Sequence, residues 1–197
     1  MIRKILLAFA ASLVLSPAHA VLTFHLIESG GNVTLTATGS VNTAALVPTF
    51  PGACGAGTGL VNPSAAQFCT GAGVAIRHAG LTGPASFGPG GLLQGTGSST
   101  GDNVYMVGVL GELYLPVGYV SGAPLSGASQ FPGTTLAAMG VTPGTYTWTF
   151  GAGPTADSVV FVAGGAPVGV PATSELALAA LAGLLAWGAL PVLRRRC

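Results

Sequence analysis

The chain has 197 residues, half of them hydrophobic, with 32 glycines, 14 prolines and only 6% charged side chains, for a formal net charge of +1. That length fits one domain with flanking segments. Between Val21 and Val170, Arg77 is the only Lys or Arg, and Glu28, Asp102, Glu112 and Asp157 are the only acids, a formal excess of three negative charges. Nucleic-acid binding, which needs clustered cations against phosphate, and adhesion to anionic lipid through a basic patch are both excluded.

In chain order, Met1 to Ala20 reads as a secretory signal peptide. Arg3 and Lys4 precede the apolar run from Ile5 to Leu15, Pro17 breaks it, and Ala18 and Ala20 are the small residues of a cleavage site. An uncleaved N-terminal anchor is the alternative. The body opens with Val21 to Glu28, where Leu22, Phe24 and Leu26 alternate with Thr23, His25 and Ile27. Ser29-Gly30-Gly31 reads as a turn. Asn32 to Ser40 then sets Val33, Leu35 and Ala37 against Thr34, Thr36 and Thr38. This period-two pattern with a short glycine turn predicts a hairpin of half-buried antiparallel strands.

From Val41 to Thr70 the alternation dissolves among Pro48, Pro51, Gly52, Gly55, Gly57, Gly59 and Pro63, which predicts a long loop. Cys54 and Cys69 fall in this stretch. An oxidising compartment permits their pairing, and closing a loop of about 15 residues adds about 3 kcal/mol in the chain-entropy model. Two free buried thiols are the alternative. No Cys-x-x-Cys occurs and His78 is the one histidine nearby, so a metal site is disfavoured. No cofactor is indicated.

Gly73 to Ala79 reads as a strand, Gly80 to Gly101 as loop or irregular edge, and Asp102 to Leu115 as further strands interrupted at Gly111. Thr145 to Phe150 gives the cleanest alternation, with Tyr146, Trp148 and Phe150 on the core side and Thr145, Thr147 and Thr149 opposite. Ser158 to Val162 is the last strand candidate. The whole predicts an all-β protein, an antiparallel β-sandwich of about seven to nine short strands. An N-terminal signal helix precedes it and one C-terminal transmembrane helix follows. The expected divisions are 1–20 (signal peptide), 21–163 (sandwich body), 164–175 (linker and sorting motif), 176–193 (transmembrane helix) and 194–197 (basic cytoplasmic tail).

Leu176 to Leu193 is 18 residues without a charge, a helix of roughly 27 Å, near the lower limit for a hydrocarbon core of about 30 Å. Arg194, Arg195 and Arg196 follow and act as a stop-transfer cluster on the cytoplasmic side. The alternatives are a buried C-terminal helix, disfavoured because apolar residues cover every face, and a GPI signal, which should end apolar rather than in arginines.

Two stretches carry a resemblance. Val170-Pro171-Ala172-Thr173-Ser174-Glu175, with the apolar span and arginines behind it, resembles the C-terminal sorting signals of the PEP-CTERM class, found on exported proteins of Gram-negative bacteria. The spacing of Val170, Pro171, Ser174 and Glu175 is closer to the IPTL-CTERM variant than to the Pro-Glu-Pro form. Leu176 stands where that variant usually has Trp, and Ala172 and Thr173 stand where the other form has Glu and Pro. Pro116 to Gly127 with Gly144 to Trp148 resembles the body of small proteins that bear such tails. The resemblance implies recognition by an exosortase, a membrane transpeptidase-like sorting enzyme, with cleavage near the polar motif. It implies insertion in the inner membrane through the C-terminal helix, then surface display or release. It supplies no enzymatic role.

Candidates for catalysis are few. Gly97-Ser98-Ser99-Thr100-Gly101 matches Gly-x-Ser-x-Gly but lacks a preceding apolar strand and a following helix. His25 lies in a strand pattern, His78 stands alone, and Asp157 reads as a turn residue. No sequence feature pairs two acids for glycoside hydrolysis. The expected role is therefore structural or binding, not enzymatic, through the threonine face or through Tyr105, Tyr114 and Tyr119. Exopolysaccharide is a candidate partner beside the membrane. The alternative is a secreted carbohydrate-binding or hydrolytic protein with the same tail.

Overall fold

The computed structural model describes residues 21–54 and 58–164. The expected signal peptide with Ala18 and Ala20, the sorting motif, the transmembrane helix, the arginine cluster and Cys197 lie outside the described residues. Among those described, no helix is long and apolar enough to cross a membrane.

The body is all-β, two antiparallel-rich sheets packed as a sandwich. Its strands are β1 Val21–Ser29, β2 Asn32–Gly39, β3 Val47–Ala53, β4 Leu60–Asn62, β5 Gln67–Thr70, β6 Val74–Ala79, β7 Leu93–Gln94, β8 Ser99–Gly101, β9 Val104–Val107, β10 Glu112–Pro116, β11 Leu125–Pro132, β12 Gly144–Phe150 and β13 Asp157–Ala163. One sheet runs β12-β13-β1-β2-β11-β8 and the other β3-β6-β10-β9-β5-β4-β7. Short 3-10 turns are the helical content of the described residues.

The first hairpin forms as its alternation dictates. Leu22 pairs with Gly39 and Ser29 with Asn32. Gly30 and Gly31 make the two-residue loop with φ of 59° and 76°, a conformation that this loop requires and that glycine adopts without steric cost. The last strand corrects the purely antiparallel expectation: β13 lies beside β1 in parallel, Val21 opposite Ser158 and Leu26 opposite Ala163. Alternation fixes which face of a strand is buried but carries no information on its direction.

The thirteen strands of the described residues also exceed the seven to nine expected, because the predicted long loop from Val41 to Thr70 holds β3, β4 and β5 and the predicted loop or irregular edge from Gly80 to Gly101 holds β7 and β8. Pro48 and Pro51 are tolerated in β3 because that strand forms an edge of its sheet, where a missing N–H costs no ladder bond. A register shift between Pro48 and Pro51 bulges the strand. The other edges are equally unreceptive to a further strand. β7 and β8 are two and three residues long. The outer edge of β12 is capped where Thr82 and Thr149 exchange backbone hydrogen bonds of 2.9 Å. Short, proline-bearing or covered edges are how sheets avoid edge-to-edge aggregation.

The core joins both sheets through aromatic rings. Phe68 of β5 stacks on Phe161 of β13 at 4.4 Å, meets Phe24 of β1 edge-on at 4.8 Å, and lies 5.6 Å from Trp148 of β12. Phe87, from a loop, packs against Phe161 at 4.5 Å. The Trp148 indole N–H donates to the Pro84 carbonyl at 2.9 Å, which satisfies its one polar atom. Trp148 and Phe150 are buried as predicted, and Tyr146 is partly buried.

Three of the body's four acids accept backbone amides. Glu28 accepts from Leu136 (2.8 Å), Asp102 from Ser126 (2.8 Å), and Asp157 from Asn42 (2.7 Å) and Ser158 (2.7 Å). Asp157 is buried and opens β13, which corrects its reading as a turn residue. Carboxylates that accept amide hydrogens make charge-assisted bonds roughly twice as strong as neutral ones, so in this sparsely charged body the acids clip loops to strands. Tyr119 does similar work with a neutral group. Its hydroxyl accepts from the Val41 amide (2.8 Å) and donates to the Ala123 carbonyl (2.7 Å). Tyr119→Phe leaves both groups unpaired and is expected to lower the unfolding free energy by about 1–3 kcal/mol, measured by guanidinium denaturation. A loss within error would show that water replaces the hydroxyl.

Candidate functional site

The outer face of the seven-stranded sheet carries a row of aromatic and charged side chains, partly buried or buried except for the exposed Phe50. Register sets it. Cys69 of β5 stands opposite Tyr105 of β9, Tyr105 opposite Tyr114 of β10, and Tyr114 opposite Arg77 of β6. Their neighbours in sequence, Phe68, Met106, Leu113 and His78, point to the other face. The strip is therefore read across strands by period-two alternation. Beyond Arg77 lies the bulge of β3, and Phe50 covers the guanidinium with its ring centroid 4.0 Å away, in cation–π range.

Polar contacts fix the strip. Arg77 Nη1 donates to Glu112 Oε1 at 2.8 Å, Arg77 Nε donates to Thr49 Oγ1 at 2.8 Å, and the Tyr114 hydroxyl donates to Glu112 Oε2 at 3.2 Å. Tyr105 and Tyr114 stack at 4.9 Å. The Tyr114 ring reaches β3: a Cβ on Gly52 would lie 2.6 Å from its Cε1, so that position must lack a side chain for the ring to settle there. Burial, then the charge of Glu112, pushes the Tyr114 phenol above its ordinary range. Burial, then the neighbouring Tyr114 and Glu112, does the same for Tyr105. Both hydroxyls stay protonated, and the Tyr114 proton is the one donated to Glu112.

The Cys54–Cys69 disulfide forms, with Cα atoms 6.1 Å apart. With Leu60 it makes a small apolar cluster separate from the main core, and Tyr105 packs on it. The bridge thus supports one end of the strip and ties down the chain that follows β3.

The predicted candidates scatter. Ser99 of the Gly-x-Ser-x-Gly match begins β8, and its hydroxyl lies 2.7 Å from that of Ser129 and donates to the Gly71 carbonyl at 3.0 Å. A strand follows rather than a helix. His25 shares a cross-strand row with Thr36, Ala128 and Thr100, so the serine's neighbour is three strands, roughly 14 Å, from the imidazole. His78 belongs to the other sheet and faces inward. Its Nδ1 is 2.9 Å from the Ile76 carbonyl, and burial holds its pKa below the ordinary value. The threonine face exists as the outer face of the six-stranded sheet, with Thr145, Thr147 and Thr149 exposed and Thr34 and Thr36 partly so. Tyr119 is partly buried against the main core, away from this strip, and its hydroxyl is bonded within the fold.

Sequence reasoning named Tyr105 and Tyr114 but missed Phe50, Arg77 and Glu112 as their neighbours. One signal was present. Arg77 is the only cation between Val21 and Val170, and a lone guanidinium in so neutral a body needs a partner. Among the described residues no group of three or more His, Cys, Asp or Glu is placed to hold a metal ion. The strip can stack and hydrogen-bond, and it holds no nucleophile beside a base. Comparison with family models, with curated proteins and with solved structures found no match to this chain.

Proposed function

We propose that the chain is an exported protein of the cell surface or extracellular matrix, delivered by its signal peptide and held in the inner membrane by its tail. The tail is then processed by an exosortase-class enzyme, and the sandwich serves as a binding module. The observation that carries this reading is the arrangement of the precursor: apolar segments flanked by cations at both ends, and between them a body with a single cation. A disulfide-closed, sparsely charged sandwich is in keeping with an oxidising compartment. The strip of Phe50, Arg77, Glu112, Tyr114 and Tyr105 favours binding over hydrolysis, because its one acid is held by Arg77 and Tyr114 and, among the described residues, no second carboxylate faces it for acid–base work.

The test is the mass of the mature C-terminus, together with fractionation of the producing cells. A chain ending near Glu175 and recovered outside the cytoplasm is expected. A cytoplasmic chain that keeps Cys197 would reject the proposal.

A further inference from the structure

We infer that the strip on the outer face of the seven-stranded sheet is a docking platform for an uncharged polysaccharide chain. The inference rests on the binding-module reading above and names its ligand class. Pyranose rings present apolar C–H faces and pairs of adjacent hydroxyls. A site for them needs an accessible ring beside a donor and an acceptor held close together, and the strip has one exposed ring, Phe50, and two partly exposed ones, Tyr105 and Tyr114. Phe50 is 61% exposed while its ring covers the Arg77 guanidinium. Arg77 and Glu112 lie side by side, their side chains 22% and 10% exposed.

Hydrogen-bonding capacity remains on both. Of the five guanidinium N–H groups, Nε and one from Nη1 are engaged by Thr49 and Glu112 and a third lies against the Tyr114 hydroxyl, which leaves two. Each carboxylate oxygen of Glu112 takes a single bond, from Arg77 or from Tyr114, although each can accept two. Two adjacent hydroxyls, one accepting from the arginine and one donating to the glutamate, complete that set. The Tyr105 hydroxyl, kept protonated by burial, extends the row of donors, while the Tyr114 proton stays on Glu112. From β3 to β9 the strip crosses three strand spacings, roughly 14 Å, so it takes a short run of linked sugars rather than a single one.

Charge decides which polysaccharide. Arg77 is already neutralised by Glu112, and the body between Val21 and Val170 carries a formal excess of three negative charges. An anionic chain would be repelled and would compete with Glu112 for the guanidinium. A neutral chain needs no counter-charge.

The test is affinity electrophoresis of the full chain, in nonionic detergent without reductant, through gels containing hydroxyethyl cellulose, galactomannan or alginate. At least one neutral polymer is expected to retard the chain. Phe50→Ala, which removes an exposed ring and should move the thermal midpoint by no more than about 2 °C, is expected to weaken the retardation about tenfold. Tyr105→Ala, assayed below its own midpoint, is expected to weaken it comparably. Retardation by neither neutral polymer, by alginate alone, or to the same extent in both variants as in the parent would overturn the platform. The electrophoresis does not depend on where the cell places the protein. A chain trimmed at its tail that no neutral polymer retards rejects the platform alone, and an untrimmed cytoplasmic chain rejects the export reading alone.

Discussion

Phe68→Ala is expected to lower the unfolding free energy by about 3–5 kcal/mol. In a body of this size that brings the thermal midpoint down by roughly 6–20 °C. The reason is position as well as size. Phe68 is fully buried and touches Phe24, Phe87, Trp148 and Phe161. Three of these belong to strands of the opposite sheet, so the ring joins the two layers. Removing it leaves a cavity walled by rigid aromatics on β-strands, which have little freedom to collapse inward, and this places the cost in the upper part of the usual range. Phe68→Leu keeps most of the volume and is expected to cost under about 1.5 kcal/mol. Phe50→Ala, on the surface, should stay within about 0.5 kcal/mol. Denaturant melts of the three variants check the order. Equal losses for Phe68→Ala and Phe50→Ala would mean that the aromatic cluster does not hold the sheets together.

That cluster shows how far the sequence could be read. Thr145 to Phe150 and the first hairpin were legible because alternation and a Gly-Gly turn are local properties, and the buried faces came out as the pattern dictates. β3 was not legible. Pro48 and Pro51 exclude a central strand, and only the tertiary arrangement makes β3 an edge strand. β4 and β5 were hidden by their three- and four-residue lengths and the glycines around them, although β5 contributes Phe68. The parallel placement of β13 beside β1 was equally out of reach, since either direction buries the same side chains. The candidate site lies between these cases. Tyr105 and Tyr114 are recognisable as aromatics on strands, but their junction with Arg77, Glu112 and Phe50 depends on the register of β3, β6, β9 and β10, and register across distant strands leaves no mark in a single sequence.

Removing the disulfide tests that assembly and the stability of the body together. The double variant Cys54→Ser/Cys69→Ser is expected to lose about 3 kcal/mol, the chain-entropy value for a loop of roughly 15 residues. Its thermal midpoint should then fall by roughly 6–12 °C. The bridge joins two places that the sheet itself leaves apart. Cys54 directly follows edge strand β3, whereas Cys69 belongs to β5, four places along the sheet. β3 pairs with β6 alone, through a bulged register, and it carries Thr49 and Phe50, the contacts on one side of Arg77. Losing the bridge should therefore loosen β3 before the rest of the sandwich, so amide exchange in β3 should rise more than in β12 or β13. Wild-type protein in strong reductant should match the variant, because both lack the same covalent link. A loss under about 1 kcal/mol would mean that the pairing of β4 with β5 already restrains the loop in the unfolded chain. Unchanged exchange in β3 would mean that Tyr114, resting against Gly52, holds that edge without help from the cysteines.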